Sequence, residues 1–146
     1  MHKKDNEIIE LNFNRGPLLY TLISKYKPKN ILEFGTGGGF GTMSMAWAIT
    51  DHEIDGTIFT VDILDSSHSW SRTIDWDNGE GPIINEMSNN EVWNKIIPIE
   101  WSTKVKTITG YSGQVMAKNK FPKIDFSYID GAHFYGGVKH DFYSFL

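Results

Sequence analysis

The residues of this chain best suited to hold a ligand are Glu33, Gly35, Thr36, Gly37 and Gly39, within Ile31-Leu32-Glu33-Phe34-Gly35-Thr36-Gly37-Gly38-Gly39-Phe40-Gly41. A short apolar run carrying one carboxylate breaks at a glycine cluster and restarts at Thr42 as a helical pattern. Strand, glycine loop and helix in that order let a backbone approach a ligand closely while helix N–H groups point at it. The chemistry this suits is capture of a nucleotide-like cofactor. A second β-branched run, Gly56-Thr57-Ile58-Phe59-Thr60-Val61-Asp62, ends in a carboxylate 27 residues after Gly35. There an adenosine ribose would find an acceptor for its hydroxyls. A further pair, Asp130 and His133, stands three apart across a glycine turn at Gly131. It offers an oxygen ligand and an imidazole, suited to a metal ion or to general-base work.

The glycine spacing separates cofactor classes. Gly35, Gly37 and Gly39 fit G-x-G-x-G, but no register gives G-x-G-x-x-G, because the last position falls on Phe40, Thr42 or Ser44. That counts against a dinucleotide, whose pyrophosphate needs the third glycine for close helix approach. The phosphate loop G-x-x-x-x-G-K-[ST] is also absent from the sequence.

The elements that must position these residues alternate. Gly16-Pro17 opens a helix with Leu18, Leu19, Leu22, Ile23 and Tyr26 on one face, closed by Pro28. After the glycine loop, Met43, Ala46, Trp47 and Ile49 support a helix to about Asp51, and a strand follows over 57–62. The stretch 65–84, rich in Ser, Asp, Gly and Trp, is expected to be a long loop. Its Trp70 and Trp76 suit a lid or an oligomer contact. A helix over 85–97 is expected to break at Pro98. Then come a strand over 105–109, a short helix over 114–119, a strand over 124–129 and a helix from Val138 to the end. Strands alternating with helices predict an α/β fold with a doubly wound parallel sheet, in one domain over 1–146.

Composition narrows the function classes. A chain of 146 residues, 40% hydrophobic and 14% aromatic, suits one modest core. Its net charge is −4 with basic residues scattered, so no footprint for a nucleic acid backbone is expected. Cysteine is absent, which removes disulfides and thiolate metal sites. With no apolar segment after Met1-His2-Lys3-Lys4 and no long apolar run elsewhere, neither export nor a membrane partner is expected, and a cytoplasmic location follows by default.

Led by Glu33, E-x-G-x-G-x-G resembles motif I of the class I S-adenosylmethionine-dependent methyltransferases, and Asp62 matches that family's acidic residue after the second strand. The run Ile129-Asp130-Gly131-Ala132-His133-Phe134-Tyr135, continued by Val138 and Asp141, resembles the fourth-strand motif of a subfamily that includes small-molecule O-methyltransferases. The resemblance implies a Rossmann-like sheet of order 3-2-1-4, incomplete here, with later strands missing. It implies S-adenosylmethionine as cofactor and a small hydroxylated molecule as methyl acceptor. Glu33, Thr36 and the Gly35–Gly39 backbone would hold the methionine part, Asp62 the ribose, and Ser112 (or Gln114) the adenine. Asp130 would meet the cofactor or bind Mg2+, and His133 would contact the cofactor or move a proton. The family's remaining metal carboxylates lie on a fifth strand that this chain does not contain. Three other readings stay open: a cofactor-binding fragment or subunit without catalysis, a dinucleotide-dependent oxidoreductase, and a purely structural partner subunit. The strand over 124–129 would keep an unpaired apolar edge, so a homo-oligomer is expected.

Overall fold

The computed structural model describes residues 14–74, 79 and 81–145. Its centre is β1 (Asn30–Phe34), in which Ile31, Leu32 and Phe34 are at most 1% exposed. A strand that is apolar on both faces belongs in the middle of a parallel sheet, covered by helices on either side. Strand β1 pairs in parallel with β2 (Thr57–Asp62), and β2 pairs with β5 (Val105–Thr109). On its other side β1 pairs in parallel with β6 (Phe126–Ile129). The order β5-β2-β1-β6 is the expected 3-2-1-4 when only the parallel strands are counted.

Side chains alternate across the sheet as the strand period requires. On one face Ile31 and Ile58 pack with Leu19 and Ile23 of α1 (Arg15–Tyr26) and with Met45 and Ile49 of α2 (Phe40–Asp51). On the other face Leu32, Phe34 and Val61 pack with Val115 of α5 (Ser112–Lys118). Each fully buried side chain of this size contributes about 1.5–3 kcal/mol relative to exposure. Register places the carboxyl ends together: Phe34 lies opposite both Val61 and Ile129, and Asp62 opposite Thr109. Every loop that leaves the sheet at this edge therefore starts from one line.

The segment 65–84 departs from expectation. In place of a structureless loop it carries β3 (Ser69–Ile74), antiparallel to β4 (Ile83–Ser88), with Ser69 opposite Ser88 and Ile74 opposite Ile83. Trp70 lies on β3, whereas Trp76 falls outside the described residues. The helix expected over 85–97 is correspondingly shorter. Residues 85–88 finish β4, and α3 (Asn89–Ile96) begins at a capping box in which Glu91 N–H donates to Ser88 Oγ and Ser88 N–H donates to Glu91 Oε2. One turn, α4 (Ile99–Ser102), precedes β5, and α6 (Tyr135–Phe145) starts three residues earlier than expected. No helix among the described residues is long and apolar enough to cross a membrane.

Candidate functional site

A cavity of about 610 Å³ opens at the carboxyl edge of the parallel sheet. That is where open α/β sheets bind ligands, because loops diverge on either side of the central strand. Its wall comes from every parallel strand: Gly35 and Gly37 after β1, Asp62 at the end of β2, Ser112 after β5, and Asp130 and His133 after β6. His140 and Asp141 of α6 close one side.

Gly35 forms the floor and admits no side chain. Its φ is +92°, and a Cβ would stand 2.3 Å from the Asp130 carbonyl oxygen. The backbones meet because Gly35 N–H donates to Val61 O and Asp130 N–H donates to Phe34 O, each at 2.8 Å. Beside it, Asp62 accepts from Gly37 N–H at 2.9 Å and from Leu64 N–H at 3.0 Å. The carboxylate thus shapes the glycine loop and still lines the cavity.

Three residues expected at the ligand lie elsewhere. Glu33 is 1% exposed beneath the loop and does not line the cavity. Its carboxylate accepts from the hydroxyls of Thr42 and, at 2.6 Å, Thr60. Thr36, also buried, shares a 2.6 Å hydrogen bond with Thr60 and does not line the cavity either. Gly39 faces Trp93, whose Cζ2 would lie 2.5 Å from a Cβ there. All three lie off the cavity wall, packed against the elements beneath and beside the loop.

Burial pushes Glu33 up to about 7, against the two threonine hydroxyls, which favour the charged form. Between its ordinary value and about 7 the folded state keeps a proton that the unfolded state has released. Stability therefore falls as pH rises through that window, by up to about 3 kcal/mol. Glu33→Gln, which keeps an acceptor for both hydroxyls, is expected to flatten that slope. Urea unfolding at steps between pH 5 and 8 checks it, and parallel pH profiles for the two proteins would refute the assignment.

Asp130 does not fit the expected metal role. Its carboxylate accepts from the Arg15 guanidinium, both side chains being partly buried. Among the described residues no group of three or more His, Cys, Asp or Glu side chains is placed to hold a metal ion. A guanidinium already neutralises the charge that Mg2+ would need. Burial, followed by the nearby Asp130 carboxylate, pushes the Tyr128 phenol up. His133 is exposed on the cavity rim. Ser112 lines the cavity, and its hydroxyl donates to Asp141 Oδ1 at 2.5 Å. Asp141 is 8% exposed. Gln114, the other adenine candidate, is exposed and does not line the cavity.

Arg15 and His140 escaped the sequence reading. Arg15 lies 115 residues from its partner at the start of a helix, with no local pattern to mark it. His140 stands beside Asp141, and its Nε2 lies 2.9 Å from where a Cβ of Gly113 would be. A helical position facing the cavity is visible only once α6 is docked.

Residues 32–146 match the sequence model of a family described as a methyltransferase domain. A comparison with curated proteins found no match. Among solved structures, the O-methyltransferase from Bacillus cereus in complex with SAH is 20% identical over 84% of this chain and 46% of that one, with a TM-score of 0.54. The O-methyltransferase TomG from Streptomyces achromogenes, involved in tomaymycin synthesis and bound to SAM, is 15% identical over 92% of this chain and 50% of that one, at a TM-score of 0.58. At these identities the likeness is one of fold. The chain spans about half the length of these structures.

Proposed function

The chain belongs to the methyltransferase-domain family, and from that premise we propose that it binds S-adenosylmethionine in the cavity and directs its methyl group to a small hydroxylated acceptor. The observation that carries this reading is the pairing of Gly35 with Asp62: a floor of bare main chain next to a carboxylate at the end of the adjacent strand. The first admits a ligand at backbone distance, and the second accepts from ribose hydroxyls.

Within this reading Gly35 and Gly37 line the methionine portion, Asp62 holds the ribose, and Ser112 with Asp141 faces the adenine. Glu33, Thr36 and Gly39 act at one remove by fixing the loop. The bound cofactor supplies a methyl group made electrophilic by its sulfonium. The chain's task is to align an acceptor oxygen with that methyl, exclude water and remove the acceptor's proton. His133, exposed at the rim, takes that proton on its imidazole in this reading. Asp130, held by Arg15, sets the wall on the same side. No step here depends on a divalent ion.

Thermal unfolding with S-adenosylmethionine, S-adenosylhomocysteine, NAD or FAD tests the cofactor. A ligand at 100 times its Kd stabilises by about 2.7 kcal/mol, which raises the midpoint of a chain this size by roughly 5–10 °C. That rise is expected with the two sulfur compounds alone. A rise with NAD and none with S-adenosylhomocysteine would overturn the reading.

A further inference from the structure

We propose that Asn89 is a positioning residue for the cofactor cavity, through which the β3–β4 hairpin and α3 hold the glycine loop in its ligand-binding shape from outside. The inference rests on the cofactor reading above. Gly37 combines a φ of +50° with open space where a Cβ would stand, so no side-chain packing holds its backbone there. Hydrogen bonds from two sides do. Asp62 accepts from its N–H at 2.9 Å, and Asn89 Nδ2 donates to its carbonyl oxygen at 2.9 Å. One peptide further on, Trp93 Nε1 reaches the Gly38 carbonyl at 3.4 Å.

Neither Asn89 nor Trp93 lines the cavity, although Gly37 does. The two carbonyls are therefore anchored from outside the ligand space. A carbonyl released from that anchor can turn its partial negative charge toward the cavity, against any carboxylate on the ligand. Asn89 is itself held: its Oδ1 accepts from Arg72 Nη2 at 2.6 Å. Arg72 Nε donates to Met87 O at 2.9 Å, and the guanidinium lies 4.3 Å over the Trp70 ring. Asn89 is 5% exposed and starts α3, where the Ser88–Glu91 capping box fixes the backbone. The amide donates to a carbonyl and accepts from a guanidinium at once, which a carboxylate, an acceptor alone, does not do.

Asn89→Asp keeps the acceptor for Arg72 and loses the donor to Gly37, whereas Asn89→Ala loses both. Calorimetry with S-adenosylhomocysteine is expected to show Kd raised about tenfold or more in each. The ligand-free midpoint of Asn89→Asp should stay within about 2 °C of the parent. Arg72→Ala, which leaves the donor present but unanchored, should weaken binding by a smaller factor of about three to five. Amide exchange at residues 36–39 should quicken in ligand-free Asn89→Asp, a local readout that a purely structural role would spread over the fold. Binding within about twofold of the parent in both Asn89 variants would overturn the proposal. So would a loss of binding matched by a general loss of folding in both Asn89 variants and in Arg72→Ala. Failure of the parent chain to bind S-adenosylhomocysteine is a separate result that overturns the cofactor reading itself, and this inference with it.

Discussion

Gly35→Ala is expected to raise the Kd for S-adenosylhomocysteine about 100-fold or more, close to abolishing binding. A methyl group at this position would sit 2.3 Å from the Asp130 carbonyl oxygen and 2.6 Å from both the Asp130 carbonyl carbon and Gly131 Cα. Those atoms are main chain, so no rotamer change relieves the clash, and the ends of β1 and β6 must part. The positive φ adds about 1–2 kcal/mol of backbone strain for any L-residue with a side chain. Separated strand ends widen the floor on which the ligand rests and move Asp130 with it. Gly37→Ala is the comparison: beyond its chain neighbours no other protein atom lies within 4 Å of its Cβ position, so the fold meets only the φ penalty of about 1 kcal/mol. Any affinity lost beyond that reports the methyl group meeting the ligand. Calorimetry on both variants, with far-ultraviolet circular dichroism to confirm folding, separates steric closure from general sensitivity of the loop. Equal affinities for parent and Gly35→Ala would remove the floor from the binding site.

Asp62→Ala is expected to weaken the same ligand by about 1.5–3 kcal/mol, the scale of charge-assisted hydrogen bonds, or roughly 10- to 150-fold. Two effects combine. The carboxylate accepts from Gly37 and Leu64 N–H groups, so its removal frees the glycine loop. It also has lone pairs left for ribose hydroxyls. Comparison of S-adenosylhomocysteine with methylthioadenosine, which keeps the ribose and lacks the amino acid, separates the two. A loss confined to S-adenosylhomocysteine would assign Asp62 to the loop alone, and no loss with either compound would remove it from the site.

Much of this arrangement was legible in the sequence, for identifiable reasons. Ile31–Gly39 and Thr57–Asp62 encode strand, turn and carboxylate locally, so their placement along one sheet edge followed from alternation of strands and helices. The β3–β4 hairpin was obscured by composition. Ser69 to Ile74 does alternate, with Trp70, Arg72 and Ile74 half-buried and Ser69, Ser71 and Thr73 exposed. Small polar residues on the exposed face made that period look like a loop. The true start of α3 was also written locally, in Ser88 and Glu91 three residues apart. Glu33 shows a deeper limit. Its motif position marked it as part of the site, but whether a carboxylate points up at a ligand or down into threonine hydroxyls depends on Thr42 and Thr60, set by neighbouring elements. The Arg15–Asp130 pair is legible only in three dimensions, and it displaces the metal role that Asp130 alone suggested.

Because β6 pairs with β1, β1 waits for a strand that lies far along the chain. Ile31 and Phe126 face each other across nearly the whole described chain, and the floor at Gly35 is completed by Asp130. Contacts of such long sequence separation close late and slowly, since the intervening chain must be ordered first. During synthesis β1 and β2 emerge early with one side of β1 bare, an apolar strand edge that neighbouring chains can join. The cavity floor at Gly35 is therefore closed only when β6 docks. A ligand bound across β1 and β6 would in turn favour the paired strands over every earlier folding stage.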